Sequence, residues 1–95
     1  MKIIKRDGTI VDYNPEKIRI AINKANKEVD EKDMASEEDI NKIIKYIEKL
    51  RKQRILVEDI QDIIEQKLMA AGKYDLAKKY ITYRYTRELV RKSNT

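Results

Sequence analysis

The sequence predicts an α+β, mostly helical domain: an N-terminal two-stranded β-hairpin lid packed on about four helices. Three observations carry this expectation. An Asp-Gly pair sits between two β-rich runs, four later stretches repeat their apolar residues at helical spacing, and chain breakers are confined to the joints. The chain has only two glycines and one proline, and each falls where one element should give way to another.

Lys2-Ile3-Ile4-Lys5 and Ile10-Val11-Asp12-Tyr13 flank Arg6-Asp7-Gly8-Thr9. Glycine accepts the positive φ of a tight turn, so this pattern predicts a hairpin over residues 2–13. Asn14-Pro15 opens a helix over about 15–28. Asn14 caps free backbone N–H groups, and Pro15 at the first helical position gives up no hydrogen bond. Ile18, Ala21, Ile22, Ala25 and Val29 form its apolar stripe. The charged stretch from Glu28 to Ala35 is expected to be a solvated loop.

Ser36 followed by Asp39 resembles a capping box. It introduces a helix over about 37–52 with the stripe Ile40, Ile43, Ile44, Ile47 and Leu50, closed by Arg51-Lys52-Gln53-Arg54, where cations suit the helix dipole. A third helix over about 57–71 carries Val57, Ile60, Ile63, Ile64, Leu68 and Ala71, and Gly72 stops it. A fourth, over about 74–92, turns Ala77, Tyr80, Ile81 and Leu89 inward. An isolated hairpin is marginally stable, so this one must pack on the helices.

Ninety-five residues form a single domain with one modest core. Charged residues make up 41% of the chain, as do hydrophobic ones, so long charged side chains must cover the core's edges. Lys and Arg exceed Asp and Glu by 22 to 17, a net +5 that suits an anionic partner without choosing among phosphate, nucleic acid and an acidic protein. With no cysteine and no histidine, the chain has no disulfide, thiolate nucleophile, Cys/His zinc site or histidine acid–base group. The chain is not expected to be an enzyme by itself. The lack of cysteine and of any long apolar run points to a cytoplasmic protein with no membrane partner.

Lys5 and Arg6 on the hairpin and Lys17 at the start of the first helix can converge on a phosphate chain, helped by that helix's free N–H groups. Spacing alone equally allows Lys5 and Arg6 to decorate an exposed hairpin. Arg84, Arg87 and Arg91 share one face of the last helix, interleaved with Tyr80, Tyr83 and Tyr85. Such a face can stack on bases and grip phosphates. The same tyrosines are also core candidates, and the arginines can pair with Glu65 or Glu88. The carboxylates Glu16, Asp39, Glu58, Asp59 and Asp62 accompany helix starts and read as ordinary dipole partners.

Four blocks in order, Ile4-Lys5-Arg6-Asp7-Gly8, Asn14-Pro15-Glu16-Lys17-Ile18, Val57 through Glu65, and Ala77 through Arg84, resemble the ATP-cone domain over nearly the whole chain. That domain is the N-terminal allosteric nucleotide-binding module of ribonucleotide reductases. Glu65-Gln66-Lys67-Leu68-Met69 and Tyr85 through Arg91 look most like the anaerobic ribonucleoside-triphosphate reductase.

The resemblance implies a regulatory domain that senses ATP against dATP, the nucleotide bringing Mg²⁺ with it, and controls the activity and oligomeric state of an enzyme of deoxyribonucleotide biosynthesis and DNA replication. It implies that Lys5, Arg6 and Lys17 contact phosphates with Asn14 beside them, and that Arg84 or Arg87 adds charge. Ile4, Ile18, Val57 and Ile60 would wall the adenine and Gln61 would hydrogen-bond it. Val11 and Leu56-Val57 stand where many members carry an acidic residue and Ser or Thr, respectively. Partners implied are an adenine nucleotide, the catalytic domain of the parent reductase, and further copies through the helices. The chain's end at Ser93-Asn94-Thr95 fits a regulatory domain cut from a larger reductase.

Two other readings stand beside this one. A nucleic-acid-binding or transcriptional-regulator module would use the Arg/Tyr helix, and a ligand-free oligomerisation domain would use the helices alone. The cations are split between hairpin and helices, which disfavours nucleic acid. The related repressor's Cys-rich zinc ribbon has no counterpart here.

Overall fold

The computed structural model describes the backbone of residues 1–93 and the side chains of residues 1–84. Its order is β1 (Lys2–Ile4), β2 (Ile10–Asp12), α1 (Pro15–Asn26), a 3₁₀ turn (Glu31–Asp33), α2 (Glu37–Lys49), β3 (Arg54–Leu56), α3 (Val57–Ala70) and α4 (Tyr74–Ser93). The α+β, mostly helical expectation holds, and the structure adds a third strand to the hairpin.

At the hairpin tip Gly8 takes φ +86°, and Asp7 Oδ1 accepts the Thr9 N–H at 2.9 Å. The antiparallel register pairs Ile3 with Val11. β3 then lies parallel to β1 on its other side, with Ile3 opposite Ile55, so β1 is the central strand of a sheet ordered β2-β1-β3. β3 is three residues long and follows a basic run, too short to show a two-residue alternation of its own. Its pairing is non-local, and Ile55 is its one buried residue.

Asn14 caps α1 by accepting the Glu16 N–H at 3.0 Å. The stretch expected as a solvated loop is tied down by a buried amide. Asn26 accepts the Ala35 N–H at 2.9 Å and donates to the Ala35 carbonyl at 3.1 Å, so both hydrogen-bonding sides of the amide are met inside the fold. The Ser36–Asp39 capping box has both of its bonds, Asp39 N–H to Ser36 Oγ at 3.1 Å and Ser36 N–H to Asp39 Oδ2 at 3.0 Å. α2 ends with Arg51 at φ +52°, a left-handed position usually held by glycine. Gly72, at φ +77°, turns the chain from α3 into α4.

Ile22, Ile40, Ile47, Ile64, Leu68 and Leu76 are fully buried and bring all four helices together, while Ile3 and Ile55 close the core from the sheet. Each such side chain contributes about 1.5–3 kcal/mol by leaving water. In α4 the inward positions are Leu76, Ala77 and Tyr80. Ile81, expected inward, is 36% exposed, and Leu89 lies outside the described side chains. Among the described residues no helix is long and apolar enough to cross a membrane.

Accepting the Ser36 backbone N–H holds the Asp39 carboxyl below its ordinary value of 3.8. A depressed carboxyl stabilises the fold above its unfolded pKa and loses that contribution as pH falls through the folded one. Asp39→Ala is expected to lower stability by about 1 kcal/mol at neutral pH. Thermal melts should show the gap from wild type closing below pH 3.8.

Candidate functional site

The two-residue alternation turns Ile3 and Lys5 of the first strand run, and Val11 (opposite Ile3) and Tyr13 of the second, toward the helices. The start of α1, the first turns of α3 and the middle of α4 meet this inner face and leave a cavity of about 210 Å³. Its walls are mainly apolar, formed by Ile3, Val11, Ile18, Ala21, Val57, Ile60 and Ile64, with Tyr80 reaching in from α4. Asp12, Tyr13, Asn14, Lys5, Lys17 and Gln61 complete the lining. An apolar pocket with a few convergent polar groups is the usual form of a small-molecule site.

Lys5, Asn14, Lys17, Ile18, Val57, Ile60 and Gln61, drawn from the hairpin, α1 and α3, all line this one cavity. The Lys5 and Lys17 ammonium groups have no ion-pair or hydrogen-bond partner among the described residues. Asn14 spends its carbonyl oxygen on capping, so its NH₂ is the part a ligand can use. The first turn of α1 adds the positive end of the helix dipole; its N–H groups are already used, since Pro15 has none, Glu16 donates to the Asn14 side chain and Lys17 to the Asn14 carbonyl.

Other expected site residues lie elsewhere. Ile4 alternates to the outer face of the sheet, and Ile3 takes the wall position instead. Arg6 does not line the cavity. Its Nη2 donates to Gln61 Oε1 at 3.3 Å and its Nε pairs with Glu58 at 3.5 Å, which ties the hairpin tip to α3. Gln61 therefore has its oxygen engaged and its NH₂ left over. Arg84 pairs with Glu65 and lies 3.6 Å from Asp62, outside the cavity. Those acids hold the guanidinium above its ordinary value despite partial burial. Arg87 lies outside the described side chains.

Tyr13 was not singled out as a site residue, and Tyr80 was weighed as a core residue or as part of a base-stacking face of α4. Tyr13 donates to Glu48 Oε2 at 2.9 Å, joining the end of β2 to α2. Burial first, and then Glu48, push its hydroxyl above the usual tyrosine range. Burial does the same to Tyr80, whose hydroxyl makes no hydrogen bond among the described residues. Counting by twos from the Asp7-Gly8 turn would have placed Val11 and Tyr13 on the inner face. Nothing in helical spacing separates a core tyrosine such as Tyr80 from one at a cavity floor.

A family model described as the ATP cone domain matches residues 1–89. The chain is similar to the ribonucleoside-diphosphate reductase subunit alpha of Chlamydia trachomatis serovar D, with 40% identity over 96% of this chain and 10% of that protein. It is also similar to the vitamin B12-dependent ribonucleoside-diphosphate reductase of Thermoplasma acidophilum, 38% identical over 95% of this chain and 12% of that protein. The anaerobic ribonucleoside-triphosphate reductase of Haemophilus influenzae is 34% identical over 98% of this chain and 13% of its own length. The chain thus spans 9–13% of the length of the curated relatives it matches.

The Arg84 pair has a measurable consequence. Glu65 has a side chain only 16% exposed, and Arg84→Ala strips it of its partner. Urea unfolding is expected to show a loss of about 1–3 kcal/mol, the cost of leaving a desolvated polar group unmatched.

Proposed function

Since the chain belongs to the ATP cone domain family, a regulatory domain, we propose that it binds ATP or dATP in the cavity beneath the sheet and so regulates a ribonucleotide reductase. The observation that carries this reading is the convergence of Lys5, Lys17 and Asn14 at the start of α1, beside an apolar recess walled by Ile18, Val57 and Ile60. The phosphates lie on the two ammonium groups at the positive end of the α1 dipole, and the adenine enters the apolar recess. Gln61, its oxygen held by Arg6, offers its NH₂ to the base. Arg6 then acts by keeping the hairpin against α3, and Arg84, paired with Glu65 and Asp62, stands outside the cavity.

Among the described residues no group of three acidic side chains can hold a metal ion. The cavity's own carboxylate, Asp12, is paired with Lys2. Mg²⁺ would therefore arrive on the phosphates and keep water ligands. The regulatory step is a tightening of the hairpin and α1 on the nucleotide that alters the helical surface met by the catalytic part of the parent or by another copy. Coupling of this kind is typically worth about 1–3 kcal/mol. Lacking cysteine and histidine, the chain does not supply reductase chemistry. Glu65 through Met69 and Tyr85 through Arg91 favour an anaerobic, triphosphate-reducing, cytoplasmic parent, and the relatives include diphosphate and B12-dependent reductases as well.

Calorimetric titration with ATP, dATP and GTP, with and without Mg²⁺, is expected to show saturable binding of the adenine nucleotides. Lys5→Ala and Lys17→Ala are each expected to weaken it about tenfold or more, the size of one charge-assisted contact. Binding that survives both substitutions would move the phosphate site. Absence of binding to all three nucleotides would contradict the proposal.

A further inference from the structure

A second cavity, of about 430 Å³, opens between α2 and α3 and shares no lining residue with the first. Lys42, Lys45 and Lys49 stand at i, i+3 and i+7 along one face of α2, joined by Lys67 from α3 and Lys73 from the turn before α4. Asp39 is the one acid in the lining, and its carboxylate is held by the Ser36 backbone N–H at 3.0 Å. Five lysines against one aspartate put a net four positive charges here, in a chain whose whole excess is five.

Most of these cations are weakly matched. Lys42 lies 3.7 Å from the exposed Glu38, and Lys73 donates to the Lys32 carbonyl at 3.0 Å. Lys67 rests 3.8 Å above the ring of Tyr46, itself 42% exposed. Lys45 and Lys49 have no partner among the described residues. The chain holds 17 acidic residues, yet one lines this concave wall, where positive potential is focused rather than spread. Lysines act as point-charge partners for phosphate oxygens. The seven-position separation of Lys42 and Lys49 spans about 10 Å of helix, which suits a chain of linked phosphates better than a single ion.

We propose that this groove is a second anion site that takes a linear oligophosphate, either free inorganic polyphosphate or the phosphate tail of a nucleotide. It works independently of the cavity beneath the sheet, so the two proposals can fail separately. The test is an NMR titration of the ¹⁵N-labelled 95-residue chain with inorganic tripolyphosphate at low salt, repeated with ATP. Amide shifts at Lys45, Tyr46, Lys49 and Lys67 are expected in wild type and equally in Lys5→Ala/Lys17→Ala. In Lys45→Ala/Lys49→Ala, which alters only exposed side chains, the groove affinity should fall roughly tenfold or more while the circular dichroism is unchanged. Adenine-nucleotide shifts at Lys5 and Lys17 should persist in that variant. Larger shifts of the Tyr46 ring with ATP than with tripolyphosphate identify a nucleotide tail, and equal shifts identify free polyphosphate. Groove residues that do not respond, a response that ignores the Lys45/Lys49 substitutions, or one seen only with oligonucleotides would overturn the proposal.

Discussion

The parallel pairing of Lys2–Ile4 with Arg54–Leu56 is the constraint on which the site depends. It fixes the hairpin to the chain segment that leads directly into α3, with no residue between β3 and the helix. β2 leads into α1 after only Tyr13 and Asn14. The starts of both helices are therefore held beside the same small sheet, and the cavity is the space this arrangement leaves. A hairpin fastened only by its side chains would be marginal. Here the central strand is hydrogen-bonded on both edges, and Arg6 adds a side-chain link to Glu58 and Gln61.

The core and the site use the same residues for different ends. Ile18, Ile60 and Ile64 are nearly buried and count toward the core, yet one side of each borders the cavity. The apolar contacts that hold α1 against α3 also shape the recess proposed for the base. The polar groups are placed differently, at the rim where sheet and helix starts meet. Under the proposed function, occupancy of the cavity and the packing of α1 against its neighbours would be coupled, as a regulatory module requires.

Much of the fold was legible because its signals are local. Asp7-Gly8 marks the hairpin, Asn14-Pro15 and Ser36 through Asp39 mark two helix starts, and the isoleucine stripes mark the buried faces. β3 was not legible, since three residues with one buried side chain carry no period and its partner lies some fifty positions away. The Asn26–Ala35 clasp escaped for a similar reason, because an asparagine at a helix end reads as a cap until its partner is seen. Of the candidate site, Lys5 and Lys17 were legible from charge and position, and Asn14, Ile18, Val57, Ile60 and Gln61 through the resemblance; all seven line one cavity. The arginines of α4 were weighed as ligand contacts or ion-pair partners, and Arg84 has two acids beside it. The basic groove between α2 and α3 went unnoticed, because its five lysines come from three separate segments and look like a solvated surface in sequence.

The central claim is that the adenine sits in the apolar recess between α1 and α3. Intermolecular NOEs between bound ATP and methyl-labelled protein test it most directly. The account predicts contacts from the adenine H2 and H8 protons to the methyl groups of Ile18, Val57 and Ile60. Bound ATP showing no NOE to these three residues, or showing its adenine contacts at Ile43 and Leu68 instead, would contradict it.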